Sequence, residues 1–355
     1  MLPFLAIAGG LWGLGALMRA PRQARWLMIA LLYVVVLMIE VGLPEGAALR
    51  ELFGGSPGPW VVAGVLAAAV VAYREALRRV RAHAHVPEAP PAPPPGALGE
   101  AELERYARHI VLREIGGPGQ RRLKRARVLV VGAGGLGAPA LLYLAGAGVG
   151  RIGVIDDDAV DASNLQRQVI HRDADQGVPK ALSAARAIAA LNPHVEVRPY
   201  NRRFTEAIAG ELVAEHDLVL DGTDDWATRA LVNRACVERG VPLVSGAIAQ
   251  WEGQVSLFDP ARGTPCHACV FPCEPAPGVA PSCAEGGVLG PLPGVVGAIM
   301  AAEAVKHLSF AGETLAGRLL LYDALHAEAR TIRLRPRADC AVCGGRGLRA
   351  GGDAA

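Results

Sequence analysis

Four glycines, Gly132, Gly134, Gly135 and Gly137, sit in a GAGGLG turn, and the acidic run Asp156-Asp157-Asp158 follows about twenty residues later. Glycines between a strand and a helix let the backbone close on a phosphorylated ligand, and the helix behind them offers free amides and the positive end of its dipole. Asp156 stands where a carboxylate would hold ribose hydroxyls, in a dinucleotide site as readily as in a mononucleotide one. The next segment tips the balance. Asn164, Arg167 and Gln168, in the run NLQRQ, bring amide and guanidinium groups to the mouth of the same site, and Lys180 opens the following helix pattern. A dinucleotide's pyrophosphate is already satisfied by the glycine turn, whereas an added arginine and lysine suit a triphosphate. ATP is therefore the expected nucleotide; the competing reading, an NAD oxidoreductase, would leave Arg167 and Lys180 dispensable.

A second acidic group closes a strand pattern at Asp221-Gly222-Thr223-Asp224-Asp225. Carboxylates at a strand's carboxyl end sit where parallel sheets bind ligands, so Asp224 is a candidate for Mg²⁺ or for the reaction centre. The other role open to either neighbouring aspartate is to cap the helix that follows. Cys266 and Cys269, then Cys340 and Cys343, form two Cys-x-x-Cys pairs. Four sulfurs close a tetrahedral Zn²⁺ site with no open position, so the site is expected to be structural, pinning the chain end to the core, with His267 a bystander. Seven cysteines, an odd number, point to a reducing compartment in which paired thiols bind metal rather than form disulfides. Cys236, Cys273 and Cys283 are left over. Cys283 lies within residues 271–293, a stretch too rich in proline and glycine for a regular element and long enough to be functional. It is read either as a nucleophile, which would need a depressed pKa, or as a small apolar filler.

These side chains need a scaffold to hold them together. From Arg127 the pattern runs strand, glycine turn, helix, strand; Lys180–Leu191 then reads as a helix, Glu196–Tyr200 and Asp217–Leu220 as strands, and Ala227–Arg239 as a helix. Such alternation predicts an α/β fold, a Rossmann-like, mostly parallel sheet with helices on both faces. Pro242–Ala249 and Gly253–Phe258 read as an antiparallel extension, Gly294–Leu308 as a helix, and Arg318–Asp323 and Glu328–Leu334 as closing strands. Upstream, Glu100–Arg113 reads as one helix with Tyr106, Ile110 and Val111 on one face and Arg105 and Arg108 on the solvated side.

At 355 residues the chain exceeds a single core of about 100 to 200. A net charge of +2, with arginines in short groups rather than a stripe, argues against nucleic acid as a partner. Mean hydropathy is +0.28, and the apolar excess lies near the amino terminus. Leu2–Met18 and Trp26–Leu43 approach the length that crosses a bilayer, and Trp60–Tyr73 is a shorter third run. Arg19, Arg22 and Arg25 lie between the first two runs, and Arg74, Arg78, Arg79 and Arg81 follow the third. Three crossings, at about 2–18, 26–43 and 58–75, place both arginine groups on one side, as the positive-inside bias requires. The expectation is a multi-pass anchor in the inner or cytoplasmic membrane with the remainder in the cytosol. A cleavable signal fits less well, because the first run lacks a basic leader and a small-residue cleavage site. Glu40, inside the second run, has no partner evident from sequence. Residues 86–99, VPEAPPAPPPGALG, form a semi-stiff tether. The expected organisation is an anchor at 1–82, a linker at 83–99, a nucleotide-binding domain with the zinc site at 100–348 and a tail at 349–355.

From about Glu100 to Gly345 the chain resembles the MoeB/ThiF/HesA group of the ubiquitin-activating-enzyme superfamily. RYARHI, GAGGLG, DDDAVDASNLQRQ, the lysine helix, DGTDD, SCAEGGVLGP and the paired Cys-x-x-Cys occur in that family's order, while the anchor and tether lie outside it. The resemblance implies adenylation of the carboxyl-terminal glycine of a ubiquitin-like sulfur-carrier protein ending in Gly-Gly, for sulfur transfer of the molybdopterin or thiamine type. It implies Asp156 on the ribose, Asn164, Arg167, Gln168 and Lys180 on the phosphates or orienting ATP, and Asp224 on Mg²⁺ at the α-phosphate. Arg108 matches the family arginine that reaches into a neighbouring subunit's ATP site, which implies a homodimer. Cys283 matches a cysteine with thioester or persulfide chemistry in some members and a dispensable one in others. The chain departs from the family at His109, often Gln, and at Asp225, often Asn; a second carboxylate there would either tighten Mg²⁺ or repel the phosphates. It also ends soon after the second cysteine pair, so a separate sulfur donor is expected. The alternatives are a relative that activates another substrate, such as a modified tRNA base, and a non-catalytic membrane scaffold that binds a ubiquitin-like tail without activating it.

Overall fold

The computed structural model describes residues 2–18, 20–83, 97–274 and 286–344. The chain divides into two compact units, Met1–Ala89 and Pro90–Ala355.

In the first unit, helices α1 (Leu2–Leu17), α2 (Arg22–Gly42), α3 (Ala48–Phe53) and α4 (Gly58–His83) follow one another. Ring contacts fix their directions. Phe4 and Trp60 meet at 5.1 Å and the Tyr33 hydroxyl donates to the Trp60 carbonyl at 2.6 Å, while Trp12 meets Trp26 at 5.1 Å. The start of α1, the later part of α2 and the start of α4 therefore share one end. Arg22 and Arg25 lie at the other, towards which α4 carries Arg74, Arg78 and Arg79. Among the described residues two helices, α2 and α4, are long and apolar enough to cross a membrane, and both turn most of their apolar side chains outward. The expectation of three spans is corrected here: α1 has 16 residues, a rise of about 24 Å against a hydrocarbon core of about 30 Å. Glu40 gains the partner that sequence did not reveal. It is fully buried, with Arg50 of α3 3.7 Å away.

The second unit opens with α5 (Glu100–Arg105), α6 (Ala107–Ile110) and α7 (Gly116–Arg125). The single helix expected over Glu100–Arg113 breaks at Tyr106, whose ring turns inward over Gly148 and whose hydroxyl accepts a hydrogen bond from Asn192 at 2.8 Å. Val111, expected on the buried face, is 74% exposed. The helix α7, GGPGQRRLKR, was not anticipated because its first turn is glycine and proline.

An eight-stranded sheet follows, in the order β3-β2-β1-β4-β5-β6-β7-β8. Its strands are β1 (Arg127–Val131), β2 (Arg151–Ile155), β3 (Glu196–Tyr200), β4 (Leu218–Asp221), β5 (Leu243–Ala249), β6 (Glu252–Phe258), β7 (Arg318–Asp323) and β8 (Glu328–Arg333). Strands β3 to β5 pair in parallel and β5 to β8 antiparallel. The parallel-dominated α/β reading and its antiparallel extension are thus both present. RVLVV and LVLD are covered on both faces, as central parallel strands must be, and Pro199, which has no N–H to give, lies in edge strand β3. Helices α8 (Gly137–Ala147), α9 (Lys180–Leu191), α10 (Glu206–Ala214) and α11 (Trp226–Arg239) connect the parallel strands. A short turn, α12 (His267–Val270), and a long helix, α13 (Pro291–Ser309), follow. Helix α10 was not foreseen. Helix α13 starts three residues earlier than expected, inside the segment read as irregular, because proline is tolerated in a first turn whose amides are unpaired in any case. Leu136, Ala140, Leu141 and Leu144 of α8 and its approach join Val296, Met300 and Ala304 of α13 in the main core.

Candidate active site

Strands β1 and β4 lie side by side, with connections leaving in opposite directions, so a crevice opens at their carboxyl ends. The glycine turn lines one wall. Gly132 has φ 89°, and a Cβ on it would press on the backbone of Gly222, so the turn can close on the loop after β4. A Cβ on Gly137 would collide with the Gly132 carbonyl, which is why the helix can start so tightly against the strand. The N–H groups of Gly134 and Gly135 have no acceptor among the described residues. Unpaired amides at a helix start are anion-binding groups.

Asp156 closes β2 and leans on that turn. Its Oδ2 accepts from the Ala133 N–H at 2.7 Å and its Oδ1 from the Asp158 N–H at 2.9 Å. Burial pushes its carboxyl above the usual range, and these two amides with Lys180 pull it back. Lys180 is buried at the start of α9, its Nζ 2.7 Å from the exposed Asp158 carboxylate. A lysine held this way is aimed before any ligand arrives. Arg167 donates to Asn164 Oδ1 at 2.7 Å, so the two form one unit, and a Cβ on Gly135 would meet the Arg167 side chain. Gln168 is buried beside Gly134, and its Oε1 has no hydrogen-bond partner among the described residues. A buried acceptor left open beside free amides marks a place for a polar ligand.

The loop after β4 separates its aspartates by role. Asp221 Oδ1 accepts from the Thr223 amide and hydroxyl at 3.0 and 2.6 Å. Asp225 caps α11, accepting from the Thr228 amide at 2.9 Å and hydroxyl at 2.5 Å, with Arg203 3.5 Å away. The Thr228 hydroxyl is the first cause of its lowered pKa. Asp224 is exposed and has no hydrogen-bond partner among the described residues. The capping role thus falls to Asp225 and the free carboxylate, suited to a divalent cation, is Asp224. The departure at Asp225 is absorbed by the helix start.

Arg108 lies exposed on α6, without a partner among the described residues. His109 contacts Gln120 at 3.3 Å, and Gln120 in turn donates to the Ala147 carbonyl, so this departure also settles locally. Cys283 lies outside the described residues. Cys266, Cys269, Cys340 and Cys343 converge with Sγ separations of 3.8, 3.6 and 3.5 Å and all four are buried. Sulfurs about 2.3 Å from a tetrahedral zinc are separated by about 3.8 Å, so the cluster has the dimensions that ion requires. His267 stays out of it, packed on Trp226, Phe258 and Phe271, and burial lowers its pKa to about 4.

Two residues of the site were missed in the sequence. His171 is buried between the Ala133 carbonyl and the Ser183 hydroxyl, both at 2.9 Å. Arg229 on α11 donates to the carbonyls of Thr223 and Gly246 and lies 3.9 Å from Asp221, fastening the Asp224 loop to β5. The sequence signal was a histidine three residues after Gln168 and an arginine four after Asp225, both inside patterns read only for periodicity.

Residues 106–342 match the model of the ThiF family. The chain belongs to that family. Among its ThiF-type relatives, the SAMP-activating enzyme E1 of Haloferax volcanii is 51% identical over 252 residues, covering 71% of this chain and 93% of the relative. The sulfur carrier protein adenylyltransferase of Thermus thermophilus is 53% identical over 247 residues, 68% of this chain and 91% of the relative. The adenylyltransferase and sulfurtransferase MOCS3 of Bos taurus is 50% identical over 257 residues, and the match spans 56% of that longer protein. Among solved structures, Escherichia coli MccB with ATP superposes with a TM-score of 0.60 at 23% identity, over 69% of this chain and 76% of that one, which bears on the fold.

Proposed function

We propose that this chain is an ATP-dependent adenylyltransferase that activates the carboxyl-terminal glycine of a ubiquitin-like sulfur-carrier protein ending in Gly-Gly. The observation that carries the reading is the likeness to the sulfur carrier protein adenylyltransferase over 91% of that relative's length, combined with a crevice whose free groups match the task. A glycine carboxylate oxygen attacks the α-phosphorus, a P–O bond forms, the bond to the β-phosphate oxygen breaks, and pyrophosphate leaves. Two anions must approach each other, so positive charge and hydrogen-bond donors are what the site has to supply.

The unpaired amides of Gly134 and Gly135 and the guanidinium of Arg167 suit the phosphates, with Gln168 and Asn164 orienting them. Lys180 neutralises charge as the pyrophosphate departs. Asp156 holds the ribose through lone pairs not used by the turn. Asp224 would hold Mg²⁺, which when bound neutralises phosphate charge. Zn²⁺ at the four cysteines closes the end of the chain onto α12 as a structural ion. Arg108, exposed and unpaired, suits a role in a second subunit's site, which makes the homodimer the active form. The sulfur enters later from a separate donor protein, in a pathway of the molybdopterin or thiamine type.

The first unit serves as a membrane anchor on this reading. With α2 and α4 crossing, Arg22, Arg25, Arg74, Arg78 and Arg79 share one side, as they would with three crossings, and the positive-inside bias makes that side cytosolic. Protease accessibility of the second unit in inverted and right-side-out vesicles tests the placement.

The test of the reaction is mass spectrometry of each Gly-Gly-ending carrier after incubation with the full chain, ATP and Mg²⁺. One carrier gaining a single AMP group supports the proposal; modification of none, by a protein that binds ATP, would favour the scaffold instead.

A further inference from the structure

His171 takes no part in the chemistry above, yet it is 7% exposed and joins the glycine turn to helix α9. Its Nε2 lies 2.9 Å from the Ala133 carbonyl oxygen. A carbonyl can only accept, so Nε2 carries the proton and donates. On its other side Nδ1 lies 2.9 Å from the Ser183 hydroxyl, one turn into the helix that starts at Lys180; the single proton of that hydroxyl goes either to Nδ1 or to Asp175 Oδ2, 2.8 Å away.

The consequence follows from the peptide plane. The Ala133 carbonyl and the Gly134 N–H belong to one trans peptide and point in opposite directions. The preceding N–H, that of Ala133, is held by Asp156 at 2.7 Å. With its carbonyl drawn to His171, this peptide has one orientation left, and the Gly134 N–H faces away from the imidazole with no acceptor among the described residues. We propose that His171 is a positioning residue: it aims the Gly134 amide at the nucleotide phosphates and couples that aim, through Ser183, to the helix that carries Lys180. The proposal rests on the adenylation reading for the identity of the anion, and it adds a residue to which that reading gives no role.

Two substitutions separate positioning from bulk structure. His171→Gln places an amide N–H where Nε2 stood and keeps the donor to Ala133; His171→Asn places its amide oxygen where Nδ1 stood, keeping an acceptor for Ser183 but no donor to Ala133. Direct ATP binding to the full chain is measured first, without any carrier, followed by the KM for ATP and kcat in carrier-dependent exchange. The Gln variant should hold ATP within about threefold of wild type, and the Asn variant should bind about tenfold more weakly, the worth of one hydrogen bond. That loss should appear in KM more than in kcat, with thermal unfolding of the two variants matched. Equal loss in both, or no loss in either, would overturn the positioning role. Failure of the wild type itself to bind ATP would instead sink the adenylation reading and this inference with it.

Discussion

The parallel and antiparallel halves of the sheet end in two polar clusters that are built in opposite ways. At the cysteine cluster all four sulfurs are buried and turned towards each other, leaving no ligand position open. At the crevice beside β1 and β4 the polar groups are half committed: Asp156, Asp158 and Lys180 hold one another, while Asp224, the Gln168 Oε1 and the amides of Gly134 and Gly135 are left without partners among the described residues. A closed cluster stabilises; an open one has valences to lend to a substrate. The same loop shows the division at single-residue scale, with Asp225 spent on the helix start and its neighbour Asp224 kept free.

Substitutions should therefore split by region. The largest effect is expected from Cys266→Ser, which breaks a closed set: bound zinc, measured by metal analysis at one ion per chain, should be lost and cooperative thermal unfolding of the second unit with it. Retention of a sharp transition without metal would remove the contrast. Asp224→Ala should do the reverse, lowering carrier-dependent exchange by about a hundredfold or more while leaving the melting temperature within a degree or two.

Acid should act through the buried histidines, His171 beside the glycine turn among them. Burial holds His171, His216 and His307 below the usual range and His267 at about 4. The unfolded chain takes up these protons first, so stability is full above about pH 6.5 and declines as the pH falls towards 4. Thermal melts across that interval test the sign, and a melting temperature that rises on acidification would contradict it. The smallest effect is expected at Asp225→Ala. It removes a cap worth about 1 kcal/mol, and should lower the melting temperature by a few degrees with far less loss of exchange than Asp224→Ala.

The two clusters also differed in how far they could be read from sequence. Cys-x-x-Cys spacing is local, so the four-cysteine cluster was legible without any knowledge of what surrounds it. The sheet was legible for the same reason, since β-branched runs such as RVLVV and glycine turns announce themselves over a few residues. The crevice was legible in its glycines, its lysine helix and its free aspartate, but not in His171 or Arg229, whose roles exist only because distant carbonyls come to meet them. The partner of Glu40 was hidden likewise, on a short helix that carries little pattern of its own. Helices were misjudged where a single inward side chain broke the periodicity, as at Tyr106, or where glycine and proline opened the first turn, as at Gly116 and Pro291.

The most direct measurement is ATP–pyrophosphate exchange by the full chain, with each Gly-Gly-ending carrier supplied in turn. The account predicts exchange that requires one carrier and Mg²⁺ and is lost on Asp224→Ala. Exchange that is indifferent to Asp224, or absent with every carrier in a folded protein that binds ATP, would contradict it.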